Sequence, residues 1–143
     1  MAKIITKSRA ETKKFGFSLA KKLKPGDVLA LIGDLGAGKT TFVQGLAKGL
    51  GLKNKVTSPT FVQLKIYPLK KRRVKYLYHF DFYRLESLSS LEGRGLKEYL
   101  KNKESIVVIE WADKIKKLLP LKTIFLVFSF KNQKERTITL NKK

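Results

Sequence analysis

Val28 to Ile32 form an apolar run that stops at a glycine-rich turn. Beyond it Phe42, Val43, Leu46, Ala47 and Leu50 recur at helical spacing until Gly49 and Gly51 end the pattern. The first segment reads as a buried strand and the second as a helix packed on it. Upstream, Lys3 to Lys7 reads as a short strand. A helix follows on the spacing of Ala10, Phe15, Leu19, Ala20 and Leu23, with Ser8 as its cap and Pro25-Gly26 as its stop. Downstream, Thr60 to Tyr67 and Lys75 to Asp81 read as two strands joined by residues 68–73 into an antiparallel hairpin. Leu88 to Leu100 carries a short helical pattern broken by Gly93 and Gly95. Ser105 to Glu110 contains the β-branched run Ile106-Val107-Val108-Ile109, expected of a strand buried on both faces. Lys122 to Phe130 and Arg136 to Leu140 read as a closing pair of strands.

The turn after the first buried strand carries the chemistry. Gly33-Asp34-Leu35-Gly36-Ala37-Gly38-Lys39-Thr40 fits G-x-x-x-x-G-K-[ST], and Thr41 follows it. Glycines there let successive N–H groups turn inward toward phosphates, and the helix starting near Lys39 adds its positive dipole end. Lys39 is placed to reach the terminal phosphates of a nucleoside triphosphate, and the Thr40 hydroxyl to ligate Mg2+. Alternating strands and helices at the start, then mostly strands, predict an α/β fold: a P-loop NTPase-like mixed sheet with a parallel centre and antiparallel additions, flanked by helices. At 143 residues a single domain over residues 1–143 is expected.

Such a site needs a carboxylate at the end of a neighbouring buried strand. Glu110 meets that need, the alternative being a residue that merely ends a core strand in solvent. Strand alternation puts His79, Asp81 and Tyr83 on one face. Asp81 either orients water or metal-bound water, or caps the turn after its strand. Arg84 meets phosphate charge or forms a surface ion pair. His79, the only histidine, is either a packed core residue or a catalyst. Thr57, Ser58 and Thr60 fall in the interval where P-loop proteins carry a nucleotide-sensing segment, or belong to a Pro59-containing turn.

Composition narrows the setting. No stretch approaches a membrane span and the amino terminus has no secretory core, so a soluble cytoplasmic protein without a membrane partner is expected. The absence of cysteine excludes disulfides, thiolate metal sites and cysteine nucleophiles. Net charge is +21, from 32 Lys and Arg against 11 Asp and Glu. That balance favours polyanionic partners or reflects solvated lysine-rich surface. The densest basic cluster, residues 70–75, falls at the expected hairpin turn.

With these segments in order, the chain resembles the TsaE family, small bacterial ATPases of tRNA threonylcarbamoyladenosine biosynthesis. The likeness rests on the phosphate loop through Phe42, on Thr57-Ser58-Pro59-Thr60-Phe61, on His79-Phe80-Asp81-Phe82-Tyr83-Arg84-Leu85, on Glu110-Trp111 and on Leu119-Pro120, and spans about residues 8–128. The resemblance implies a protein that binds and slowly hydrolyses ATP within an assembly containing TsaB and TsaD, where TsaD performs the carbamoyl transfer to tRNA. By position it implies that Lys39 and Thr40 bind phosphate and Mg2+, that Glu110 completes the metal site, that Asp81 supports hydrolysis and that Trp111 serves a switch or partner contact. It also places adenine contacts near Glu11-Thr12. The chain departs from the family pattern at Gly93-Arg94, where an apolar residue is usual before the Gly95-Leu96 step. Two other readings of the loop remain, a small kinase and a basic RNA-binding module with an incidental ATP site. The first is separated by whether γ-phosphate goes to water or an acceptor, the second by tight RNA binding of the isolated chain.

Overall fold

Strands β1 (Ala2–Thr6), β2 (Val28–Gly33), β3 (Leu64–Pro68), β4 (Tyr76–Asp81), β5 (Ser105–Glu110), β6 (Ile124–Phe130) and β7 (Arg136–Lys142) join in one sheet, in the order β1-β7-β6-β2-β5-β4-β3. The computed structural model describes residues 2–34, 36–53, 56, 64–70, 73–83 and 95–142. Strands β6, β2, β5 and β4 run parallel to their neighbours at the centre, whereas β7, β1 and β3 are attached antiparallel at the two sides. The expected mixed sheet with a parallel centre is therefore the observed one.

The two-sided burial inferred from the β-branched run holds along the whole of β5, and Val28 to Leu31 of β2 are buried as well. One face of the sheet meets helices α1 (Arg9–Ala20) and α2 (Lys39–Gly49), with Leu29, Leu31, Ile106, Val108, Leu126 and Phe128 packed against Phe42, Val43 and Leu46. The opposite face meets α3 (Leu96–Lys101) and a 3₁₀ segment (Ala112–Leu118), through Ala30, Tyr78, Phe80, Val107 and Ile109. Helices α1 and α2 touch at their backbones. A Cβ on Gly45 would lie 2.7 Å from the Lys13 carbonyl carbon, so glycine sets the approach of the two helices. Ser8 caps α1 as expected, its Oγ accepting from the Glu11 N–H at 3.1 Å, while Glu11 Oε1 accepts from the Lys7 N–H.

Differences from the sequence expectation lie at the element ends. The helix expected over residues 88–100 is seen from Leu96 to Lys101, starting after Gly95, whose φ of 72° suits the residue before a helix; residues 84–94 lie outside the described set. Strand β6 begins at Ile124 rather than Lys122. Lys122 has a φ of 72° and the Thr123 hydroxyl donates to Pro120 O, which makes those residues a turn. Strand β3 runs on through Pro68, tolerated because no described strand pairs with its outer edge. Among the described residues no helix is long and apolar enough to cross a membrane.

Candidate nucleotide site

The chain leaves β2 at Gly33 and turns into α2 through a loop in which Gly36 and Gly38 hold positive φ angles of 80° and 99°. Gly38 is the cap residue of α2 and brings no side chain to it, so the first-turn N–H groups stay available to an anion. Lys39, next in the chain, is only 5% exposed. Its ammonium donates to Gly33 O and to Asp34 O and lies 3.7 Å from the Trp111 ring centroid. Burial pulls the Lys39 ammonium below the ordinary lysine range, against the opposing pull of Glu110, Asp113, Asp81 and Asp34.

Two carboxylates stand beside this loop because β4 and β5 end together. Their parallel register sets Asp81 next to Glu110. Glu110 is 2% exposed, which removes the alternative of a strand end in solvent. Its Oε1 accepts from the Thr40 hydroxyl at 2.9 Å, and its Oε2 lies 2.6 Å from His79 Nε2. Asp81 Oδ1 accepts from the Tyr83 N–H at 2.9 Å, so Asp81 does cap the turn after its strand while also lining the cleft. Trp111 follows Glu110 in the left-handed region at φ 60°, an uncommon conformation for a bulky residue. That turn carries its ring over Lys39 and to 4.9 Å from the Tyr83 ring.

These groups form the floor of a cleft of about 1010 Å³. Lys39, Thr40, Thr41, Asp81, Tyr83, Glu110 and Trp111 all line it. So does Thr12, although its hydroxyl is spent inside the fold, donating to Ser8 O and accepting from the Thr6 hydroxyl at 2.7 Å. Its methyl carbon would lie 3.6 Å from a Cβ on Gly38. Asp34 is exposed and meets the site through its carbonyl on Lys39; Ala37 is fully buried beneath the loop. Leu35, Thr57, Ser58, Thr60 and Arg84 lie outside the described residues.

Part of the cleft's lining carries no signal in the sequence. Gln133 and Lys134 of the β6–β7 connection and Arg136 at the start of β7 line it, together with Lys7, Ser8 and Arg9, which follow the Thr6 that pairs with Arg136 in the β1–β7 register. Arg136 donates to Asn132 O and Gln133 O, each at 3.0 Å, stacks on Phe130 at 4.3 Å and reaches Gly36 O at 3.4 Å. Nothing local in the sequence ties residue 136 to a loop 100 positions earlier; only the β2–β6 pairing brings the hairpin there. The contact of His79 with Glu110 was missed too, though strand alternation and a parallel register would together have suggested it.

Thr40 and Glu110 are the residues here that could share a divalent cation. Among the described residues no group of three or more His, Cys, Asp or Glu side chains is placed to hold a metal ion. The paired Thr40 hydroxyl and Glu110 carboxylate fit instead an ion that keeps several waters and shares phosphate oxygens.

The family model described as threonylcarbamoyl adenosine biosynthesis protein TsaE matches residues 6–138. The chain belongs to the TsaE family. The tRNA threonylcarbamoyladenosine biosynthesis protein TsaE of Bacillus subtilis is 45% identical over 129 residues, covering 90% of this chain and 78% of that one. The protein of the same name from Treponema pallidum is 36% identical over 136 residues, with 95% and 97% covered. The crystal structure of YdiB from Bacillus subtilis superposes with a TM-score of 0.81 at 38% identity, over 99% of this chain and 84% of that chain.

Proposed function

We propose that the chain binds and hydrolyses ATP with Mg2+ and serves tRNA threonylcarbamoyladenosine formation in the cytoplasm, as a subunit acting with TsaB and TsaD. The family supports the pathway, since its relatives carry that biosynthesis in their names. The ATP reading rests above all on one contact, the bond between the Thr40 hydroxyl of the glycine loop and the Glu110 carboxylate of a strand 70 residues later.

In this reading the first turn of α2 offers N–H groups to the phosphates, and Lys39 exchanges its loop carbonyls for phosphate oxygens. Thr40 and Glu110 are the residues that would hold Mg2+. When bound, the ion neutralises charge on the phosphate oxygens, the main demand of phosphoryl transfer. Asp81, one strand over, is the candidate to orient the attacking water. Trp111 and Tyr83 close the apolar side of the cleft and limit stray water. Thr57, Ser58, Thr60 and Arg84 remain candidates for sensing the nucleotide or a partner.

The test follows γ-phosphate from labelled ATP with and without Mg2+. Release of inorganic phosphate that requires Mg2+ and vanishes in Thr40→Ala supports the reading. Metal-independent turnover, or turnover equal in Thr40→Ala, contradicts it.

A further inference from the structure

His79 occupies a position where an apolar side chain would be ordinary. It is fully buried in β4, between Leu77 and Asp81 on the face that packs against α2, while Tyr78, Phe80 and Phe82 turn to the other face. A buried imidazole costs free energy unless its nitrogens find partners. Nδ1 has none among the described residues, and Nε2 lies 2.6 Å from Glu110 Oε2. A carboxylate only accepts, so the hydrogen of this bond sits on Nε2. The bond to Glu110 is thus the ring's one polar anchor among the described residues, and it accounts for a histidine at this place.

The register explains how the two meet. His79 lies opposite Val108 in the parallel β4–β5 pair, so Glu110 is its diagonal neighbour on the same face, one alternation toward the strand end. The carboxylate is held at both oxygens, Oε2 by His79 and Oε1 by Thr40. Without the imidazole, Oε2 would be a buried acceptor lacking its partner, and the carboxylate would turn to find another.

We propose that His79 is a positioning residue, which fixes one oxygen of Glu110 so that the other faces the Thr40 hydroxyl and the metal position beside it. The proposal rests on the reading of Thr40 and Glu110 as the Mg2+ pair. His79 itself touches neither phosphate nor metal; it acts through Glu110, as partners behind metal ligands commonly do.

Because the chain has a single histidine, long-range proton–nitrogen NMR of the full-length protein reads this ring alone. A ring with hydrogen on Nε2 and a bare Nδ1 is expected, and hydrogen on Nδ1 with a bare Nε2 overturns the proposal. Calorimetry of ADP binding across a Mg2+ titration supplies the second readout. His79→Leu should raise the Mg2+ needed for half-maximal enhancement by about 10- to 100-fold, while His79→Gln, which keeps an N–H donor at similar reach, stays within about 3-fold of the unmodified chain. Metal-free ADP binding should be the same in all three. Equal losses in His79→Gln and His79→Leu, or no loss in either, overturn the positioning role. Glu110→Ala leaving the Mg2+ requirement unchanged would instead overturn the metal pair itself, and the proposal with it. If His79→Leu does not fold, the ring tautomer still decides, and a loss in His79→Gln well beyond 3-fold still overturns the positioning role.

Discussion

The Lys39 ammonium is withdrawn from water, a cost that the loop carbonyls and the Trp111 face offset. Lys39→Met keeps most of that packing and removes the buried charge. Its thermal midpoint in the absence of nucleotide should be unchanged or higher, while ATP binding falls below detection by calorimetry. A lowered midpoint with ATP binding retained would mean that the lysine serves the fold. The two carboxylates should separate when calorimetry is paired with a turnover measurement. Glu110→Ala should weaken Mg2+-dependent binding, whereas Asp81→Ala should keep the nucleotide and lose turnover; the reverse pattern exchanges their roles. At this scale the glycine loop, Lys39, Thr40 and the strand-end Glu110 were legible because each belongs to a short local pattern. Arg136 and the anchoring of Glu110 by His79 were not, since both depend on which strands become neighbours.

At the scale of elements, the strands and the two long helices were legible, while the 3₁₀ segment and the turn at Lys122 were not. The two-faced burial of β5 and the stripe of α2 announce themselves in the spacing of apolar residues. The 3₁₀ segment over Ala112–Leu118 offers too few apolar positions among its lysines, with Ala112 and Ile115 the buried ones. The turn at Lys122 depends on a left-handed backbone that lysine does not advertise. The packing of α1 on α2 is likewise invisible from either helix alone, yet it helps to position the glycine loop at the head of α2. Gly45→Ala drives a methyl group into the Lys13 backbone and should lower stability by about 1–3 kcal/mol, read as a fall in the urea midpoint. An unchanged midpoint would show that the helices separate at no cost.

Across the whole molecule, the net charge of +21 is distributed unequally in function. Lys7, Arg9, Lys134 and Arg136 line the cleft that holds Lys39. Lys70, Arg73 and Lys75 fall near the β3–β4 connection, at the opposite end of β4 from Asp81; Lys71 and Arg72 lie outside the described residues. Lys75 meets Glu104 at 3.5 Å with both side chains exposed, a pair that contributes little. Replacing Lys70, Arg73 and Lys75 with serine should leave ATP affinity unchanged. If the cluster meets tRNA, removing each side chain that neutralises a phosphate should reduce the salt slope of RNA binding by about 0.7–0.9. A drop in ATP affinity would contradict the separation of the two basic regions. The central claim, that ATP turnover at this cleft drives tRNA modification, is tested most directly by reconstitution with TsaB, TsaD, tRNA, an activated threonylcarbamoyl donor, ATP and Mg2+. Repeated rounds of threonylcarbamoyladenosine formation are expected with the unmodified chain, and arrest with Lys39→Met. Undiminished multiple turnover with Lys39→Met would contradict that claim.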